Sequence, residues 1–205
     1  PNMKHQFSST LPYSSLNANQ FHGVGDVMLN YRYQWKGEDD WAAIAPRVSV
    51  ILPTGNTNKD LGTGSAGLQF NLPVSKRVSE KFVTHFNAGF TLLPKVKGED
   101  LNGNQFRRAL SLYNVGGSVI WLTHQKFNVM FEYLSNFNSE FDAAGNTSRF
   151  KEQIVNPGFR FALDVGELQI VPGVSVPLSF SQGERRQGLF FYVSFEHPFS
   201  KKERK

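Results

Sequence analysis

One regularity constrains this chain more than any other. Apolar and polar residues alternate one by one, in segment after segment, along its whole length. In VGDVMLNYRYQW, Val27, Leu29, Tyr31, Tyr33 and Trp35 share one face, and Asp26, Met28, Asn30, Arg32 and Gln34 share the other. Successive side chains of a β-strand point to opposite sides of a sheet, so a period of two reads as strand and excludes the helical repeat. The same alternation sets Ile44, Val48, Val50 and Leu52 against Ala45, Arg47 and Ser49. It sets Leu68, Phe70 and Leu72 against Gly67, Gln69 and Asn71, and Phe82, Phe86 and Phe90 against His85, Asn87 and Thr91. It returns in FNVMFEY, VNPGFRFALDV, LQIVPGVSVPLSF and GLFFYVSFEHPF. In RRALSLYNVGGSVIW, Leu110 and Leu112 are out of phase with Tyr113, Val115, Val119 and Trp121, which predicts a bulge near Leu112. With MKHQFSSTLPY as the first strand, about ten strands are expected, or about twelve if an upstream hairpin precedes them.

The connections alternate in length. SSLNANQFHG, TGNTNKDLGTG, KVKGEDLNGNQ, NSEFDAAGNTSRF and SQGERRQ are long; KGEDD, SKRVSE, HQ and VGE are short. Long loops on one side and short turns on the other are the layout of an up-and-down antiparallel transmembrane β-barrel with both termini in the periplasm. Each strand then needs about 9–11 residues to cross the bilayer, which these segments supply. Residues 1–199 are therefore expected to form a single all-β barrel, and residues 200–205, SKKERK, a short basic periplasmic tail.

A soluble sandwich needs the same alternation. Two features favour the membrane. The polar face carries Arg32, Arg47, Glu132 and Arg160 among many small residues, whereas a water-facing surface is richer in lysine and glutamate. The tryptophans Trp35, Trp41 and Trp121 all adjoin short turns, and with Phe199 at the end of the last strand they are expected at the membrane interface. The expected location is a bacterial outer membrane, with membrane lipids and lipopolysaccharide as partners. No apolar run reaches the roughly 18 residues of a membrane helix, and PNMKHQF lacks a signal-peptide core. The net charge of +5 is scattered rather than striped, so nucleic acid is not an expected partner. The chain has no cysteine, which excludes disulfides and thiolate metal sites.

Gly62, Gly64 and Gly67 spell G-x-G-x-x-G, the fingerprint of dinucleotide-binding loops. That chemistry needs a helix behind the glycines, so that its amino terminus faces the pyrophosphate. Here SAGLQFNLPV follows, and it alternates as a strand. The glycines are read instead as the place where a long outer loop re-enters the wall, with Pro53, Thr54 and Gly55 marking where the previous strand leaves it. FHGVGDVMLNYRYQW, PRVSVILPTGN, LGTGSAGLQFNLPVSK, HFNAGF, NPGFRFAL and GVSVPL occur in that order. In this the chain resembles the Gram-negative outer-membrane family labelled as transport proteins of the phenol meta-degradation pathway. The resemblance covers roughly Phe21 to Leu178; its most specific parts are the G-x-G-D at the start of a strand and the L-P-T-G and L-G-T-G of the loop. It implies an outer-membrane β-barrel and names no catalytic residue.

On such a barrel Arg32, Arg47, His85, Glu132 and Arg160 would form a mid-depth belt in the lumen, with Asp164 and Glu196 lower. Arginine–carboxylate pairs would fill a narrow interior, and the excess of arginine would favour anions. Enzyme activity is not expected, because no histidine falls in a motif with serine. NTNKD and KGEDLNGN lack calcium-loop spacing, so no metal or other cofactor is expected. The expected function is passive transport of a small hydrophobic or aromatic solute. The alternative is a structural barrel serving as scaffold, adhesin or accessory subunit, with an outer-membrane or periplasmic protein as partner.

Overall fold

A computed structural model describes residues 5–14, 22–37, 40–59, 61–124, 126–166 and 168–196. The chain is all-β: no α-helix occurs among the described residues, and a single 3-10 turn spans Thr57–Lys59. The fourteen segments of the main sheet merge into ten continuous strands. These are β1 (His5–Thr10), β2 (Val27–Tyr33), β3 (Ala43–Ile44 and Arg47–Leu52), β4 (Gly67–Arg77) and β5 (Phe82–Glu99). They continue with β6 (Gln105–His124), β7 (Phe127–Phe141), β8 (Thr147–Phe161 and Leu163–Val165), β9 (Leu168–Ser175 and Leu178–Ser181) and β10 (Glu184–Gln187 and Phe190–Glu196).

The merging rests on register. Ala43 faces Ser75 and Arg47 faces Asn71, so both parts of β3 pair with β4 in one frame. The interruption there falls beside Pro46, and the one in β9 beside Pro177, where a ladder N–H is missing. Neighbouring backbone bonds bridge both places: Ala45 donates to Pro73, and Gly188 to Pro177. Every pairing is antiparallel between strands consecutive in sequence, an up-and-down meander. The chain enters β1 and leaves β10 at the short-turn end, where His5 pairs with Tyr33 and Glu196 with Gln169.

Burial is inverted relative to a water-soluble protein. On the polar face Ser49 is 0% exposed, Asn71 4% and Asn30 6%, whereas on the apolar face Phe70 is 46% and Phe86 50% exposed. On a curled sheet the side chains of the concave face crowd and cover one another, while those of the convex face splay apart. The sheet is therefore curled with its polar face inward, and its phenylalanines, tyrosines and valines form the outer wall.

One line of directly opposed inner residues crosses the whole sheet: Gln6, Arg32, Arg47, Asn71, Gly89, Asn114, Asn136, Glu152, Ser181 and Glu184. It starts beside the short turn after β2 and ends beside the hairpin tip before β10. That climb is the stagger between tilted strands that barrel closure requires.

Three expectations are corrected. Among the described residues β1 pairs only with β2 and β10 only with β9, so the sheet has two free edges and the barrel is not closed. The strand β1 offers just six residues, and its second edge meets no described partner. No bulge occurs at Leu112, which pairs with Thr91 in regular frame; the shift lies on the neighbouring strand between Leu93 and Val96, at Pro94. Leu110 and Leu112 break the phase because they point inward. Lastly, KVKGEDLNGNQ and NSEFDAAGNTSRF are not irregular loops. Strands β5 to β8 run through them to tight turns at Asp100–Asn104 and Asp142–Asn146.

Candidate functional site

The inner face is built from the even-numbered residues of β2, β6, β7 and β8 and the odd-numbered residues of β3, β4 and β9, as strand alternation dictates. The belt expected there divides into two groups. On the first wall Arg32 and Arg47 stand directly opposite each other across β2 and β3. Like charges so placed repel. Neither meets a carboxylate among the described residues: Arg32 donates to Gln34 Oε1 at 3.3 Å, and Arg47 to Gln69 Oε1 at 3.4 Å, with Arg47 Nε buried and without a partner among them.

On the second wall His85 and Glu132 flank Ser118 on one line of the ladder. His85 Nδ1 lies 2.7 Å from Ser75 Oγ, and Glu132 accepts from Asn156 Nδ2 at 3.2 Å. Arg160 faces Asn128 and Gly173. No ion pair joins members of the belt among the described residues; amides and hydroxyls take the place expected for arginine–carboxylate pairs. A serine beside a histidine is half of a nucleophilic site, but acyl transfer also needs N–H donors aimed at an oxyanion. Around Ser75 the strands β4 and β5 are paired in continuous register from Leu68 and Leu92 to Arg77 and Val83, so that contact is read as a ladder-side hydrogen bond.

Asp164 lies below the belt, in an exposed 3.2 Å ion pair with Lys126 and accepting from Gln169 at 2.8 Å. Glu196 ends β10 opposite Gln169. Phe199 and residues 200–205 lie outside the described residues. Trp35, Trp41 and Trp121 are all exposed at the short-turn end; Lys76 Nζ sits 4.3 Å over the Trp41 ring, and Trp121 stacks on Phe82 at 6.3 Å.

What sequence reasoning missed is the amide and hydroxyl mesh that fills the inner face. Asn30 accepts from Ser49 at 2.7 Å and donates to Thr10 at 3.0 Å. Asn71 donates to Gln69 at 2.9 Å and accepts from Asn87 at 3.1 Å, while Gln69 donates to Thr91 at 3.0 Å. Glu152 accepts from Ser179 at 2.6 Å and Asn136 at 3.1 Å. The signal was present as asparagine, glutamine and serine at every second position.

At the long-loop end the two halves of the sheet differ. Over β2 to β6, Ile51, Leu93, Val96 and Leu110 form a buried apolar cluster, joined by Met28, Leu112 and Phe141. Above it the loop between β3 and β4 is clamped by Asp26. Its carboxylate accepts from Gly55 N at 2.9 Å, Thr63 N at 2.8 Å and Thr63 Oγ1 at 2.9 Å. A Cβ at Gly62 would lie 2.5 Å from Asp26 Oδ1, so the loop approaches that closely only with glycine there. The G-x-G-D, P-T-G and L-G-T-G motifs are thus one structural unit. Over β7 to β10 lies a cavity of about 370 Å³, lined by Asn138, Glu140, Glu152, Ser179, Glu184 and Arg186 among others.

No protein-family model and no curated protein matches this chain.

Proposed function

We propose that the protein is an outer-membrane β-barrel that passively transports a small hydrophobic or aromatic solute. The observation that carries this reading is the inverted burial. A polar mesh lies inside and a wall of exposed Phe, Tyr, Trp and Val outside, which suits a chain whose outer solvent is lipid. In a bilayer the free N–H and C=O groups of β1 and β10 need partners, so on this reading the two edges meet. Leu189, Phe190, Phe191 and Val193 on β10 and Phe7 on β1 are exposed along those edges. An apolar solute leaving the lumen sideways would pass between such side chains. The inner apolar cluster gives it a resting place within an otherwise polar interior. The resemblance to the phenol-pathway transport family points the same way.

A second reading has its own observation. The mesh links side chains across most of the inner face, as in a barrel that serves as scaffold or accessory subunit. Reconstitution separates the two. Purified protein in liposomes is expected to speed the entry of small aromatic solutes above that of empty vesicles. Flux equal to empty vesicles for aromatic solutes and for ions refutes transport and leaves the scaffold.

A further inference from the structure

At the long-loop end the outer face of the sheet is strongly basic. Lys95, Lys97, Arg107, Arg149, Lys151 and Arg185 are all exposed, at the odd-numbered positions of β5, β6, β8 and β10. In β8 the alternation is plain: Thr147, Arg149 and Lys151 are exposed, and Ser148 and Phe150 between them are half-buried. The opposite face at this level is mixed: Glu140, Glu152, Glu184 and Arg186 line the cavity, and Arg108 on β6 donates to the Gly145 carbonyl. Glu99 is the one carboxylate among the described residues that shares the basic face there.

The basic side chains begin where the apolar wall stops. Lys151 Nζ lies 5.7 Å from the Phe137 ring, and the Arg185 guanidinium 5.9 Å from the Phe180 ring. Lys97 and Arg107 are directly opposed across β5 and β6, a repulsive pair unless an anion lies between them. None of the six belongs to an ion pair among the described residues. At the short-turn end Lys36 pairs with Asp40 and Lys126 with Asp164, while Lys76, Arg77 and Lys81 belong to no ion pair among the described residues. The long-loop rim therefore carries a continuous outward positive belt bordering the apolar wall.

We propose that this belt binds the phosphate groups of acidic lipid headgroups in the leaflet around the long-loop end. The inference rests on the membrane-barrel reading. Phosphates at the boundary between acyl chains and water lie where the phenylalanines end and the cations begin. A soluble acidic protein or a nucleic acid would have to cover apolar wall that it cannot match.

The test uses the full chain in nanodiscs of zwitterionic phosphatidylcholine, titrated with lipopolysaccharide, with dephosphorylated lipopolysaccharide and with inorganic phosphate. Phosphorylated lipid is expected to bind, with affinity falling as salt rises. Lys97→Gln, Arg107→Gln, Arg149→Gln and Lys151→Gln are expected to weaken binding roughly fivefold for each cation removed. Glu140→Gln on the opposite face is expected to leave it unchanged or tighter. Wild-type affinity in the combined variant overturns the proposal, as does equal binding of dephosphorylated lipid. Full displacement by millimolar inorganic phosphate overturns it in favour of a free-phosphate site. Failure of the unmodified chain to insert into the discs refutes the membrane reading itself; insertion without lipid binding refutes only the belt.

Discussion

Asp26 shows how one side chain can organise a loop. Three hydrogen bonds converge on its carboxylate from Gly55 and Thr63, on both sides of the loop between β3 and β4. Asp26→Ala leaves the two amide donors partly buried and unpaired, an expected loss of about 2–4 kcal/mol. The readouts are a lower thermal midpoint and faster tryptic cleavage after Lys59; unchanged values for both would show that the loop holds itself. Asp100 works on a smaller scale, at the tip between β5 and β6. The Asn104 side chain, then the Asn104 and Asn102 backbone N–H groups, hold its carboxyl below the ordinary value of 3.8. A lowered value means that the charged form is the one the turn favours. Its stabilisation is full above the ordinary value and is lost as pH falls through the depressed one. Amide exchange at Asn102 and Asn104, corrected for intrinsic rates, should stay constant from neutral pH to about 4 and quicken only below it. A transition above that point would contradict the turn geometry.

At the scale of the element, β5 carries one of the tight spots of the inner face. Gly89 sits between Asn71 and Asn114, and a Cβ there would lie 2.3 Å from each Oδ1. Gly89→Val forces both amides out of the mesh, with an expected cost of about 1–3 kcal/mol from overpacking alone. Urea titration in micelles checks it; a neutral result would mean that the mesh yields. Alternation alone told which residues of β2, β3, β4 and β7 face inward, because the parity of a strand is local. Asn30, Arg32, Arg47, Ser49, Gln69, Asn71 and Glu132 could be placed from the sequence for that reason. Ile51, Leu110 and Leu112 could not, since an apolar residue facing inward looks like an error in phase rather than a core. The polar stretches around Asp100 and Asp142 looked like loops because strand that extends beyond an apolar wall loses the apolar half of its pattern. The partners of Arg47 and His85, Gln69 and Ser75, depend on register across strands, which no single segment encodes.

At the scale of the molecule the open question is physical rather than topological. Ten staggered antiparallel strands with a buried polar face make one continuous wall, and among the described residues β1 and β10 are its two edges. If lipid closes it, the inward residues of β1 should meet inward residues of β10. Cysteine at Ser8 is then expected to crosslink to cysteine at Tyr192 in a bilayer, and not to cysteine at the outward Phe191 or Val193. Crosslinking to the outward pair would invert the register, and none at all would mean that the edges take other strands.

The meander has a mechanical consequence. Each strand is bonded only to its neighbours in sequence, so the wall holds as a strip of cloth holds, strongly in its plane and weakly at a free hem. Pulled from the end of β10, an unsewn wall should come away in small successive tears, one strand or hairpin at a time, each at similar force. A single seam between β1 and β10 converts the hem into a hoop, and the first tear should then be the hardest. The order of forces on extraction from a membrane would therefore report whether the hoop exists, without any view of the atoms.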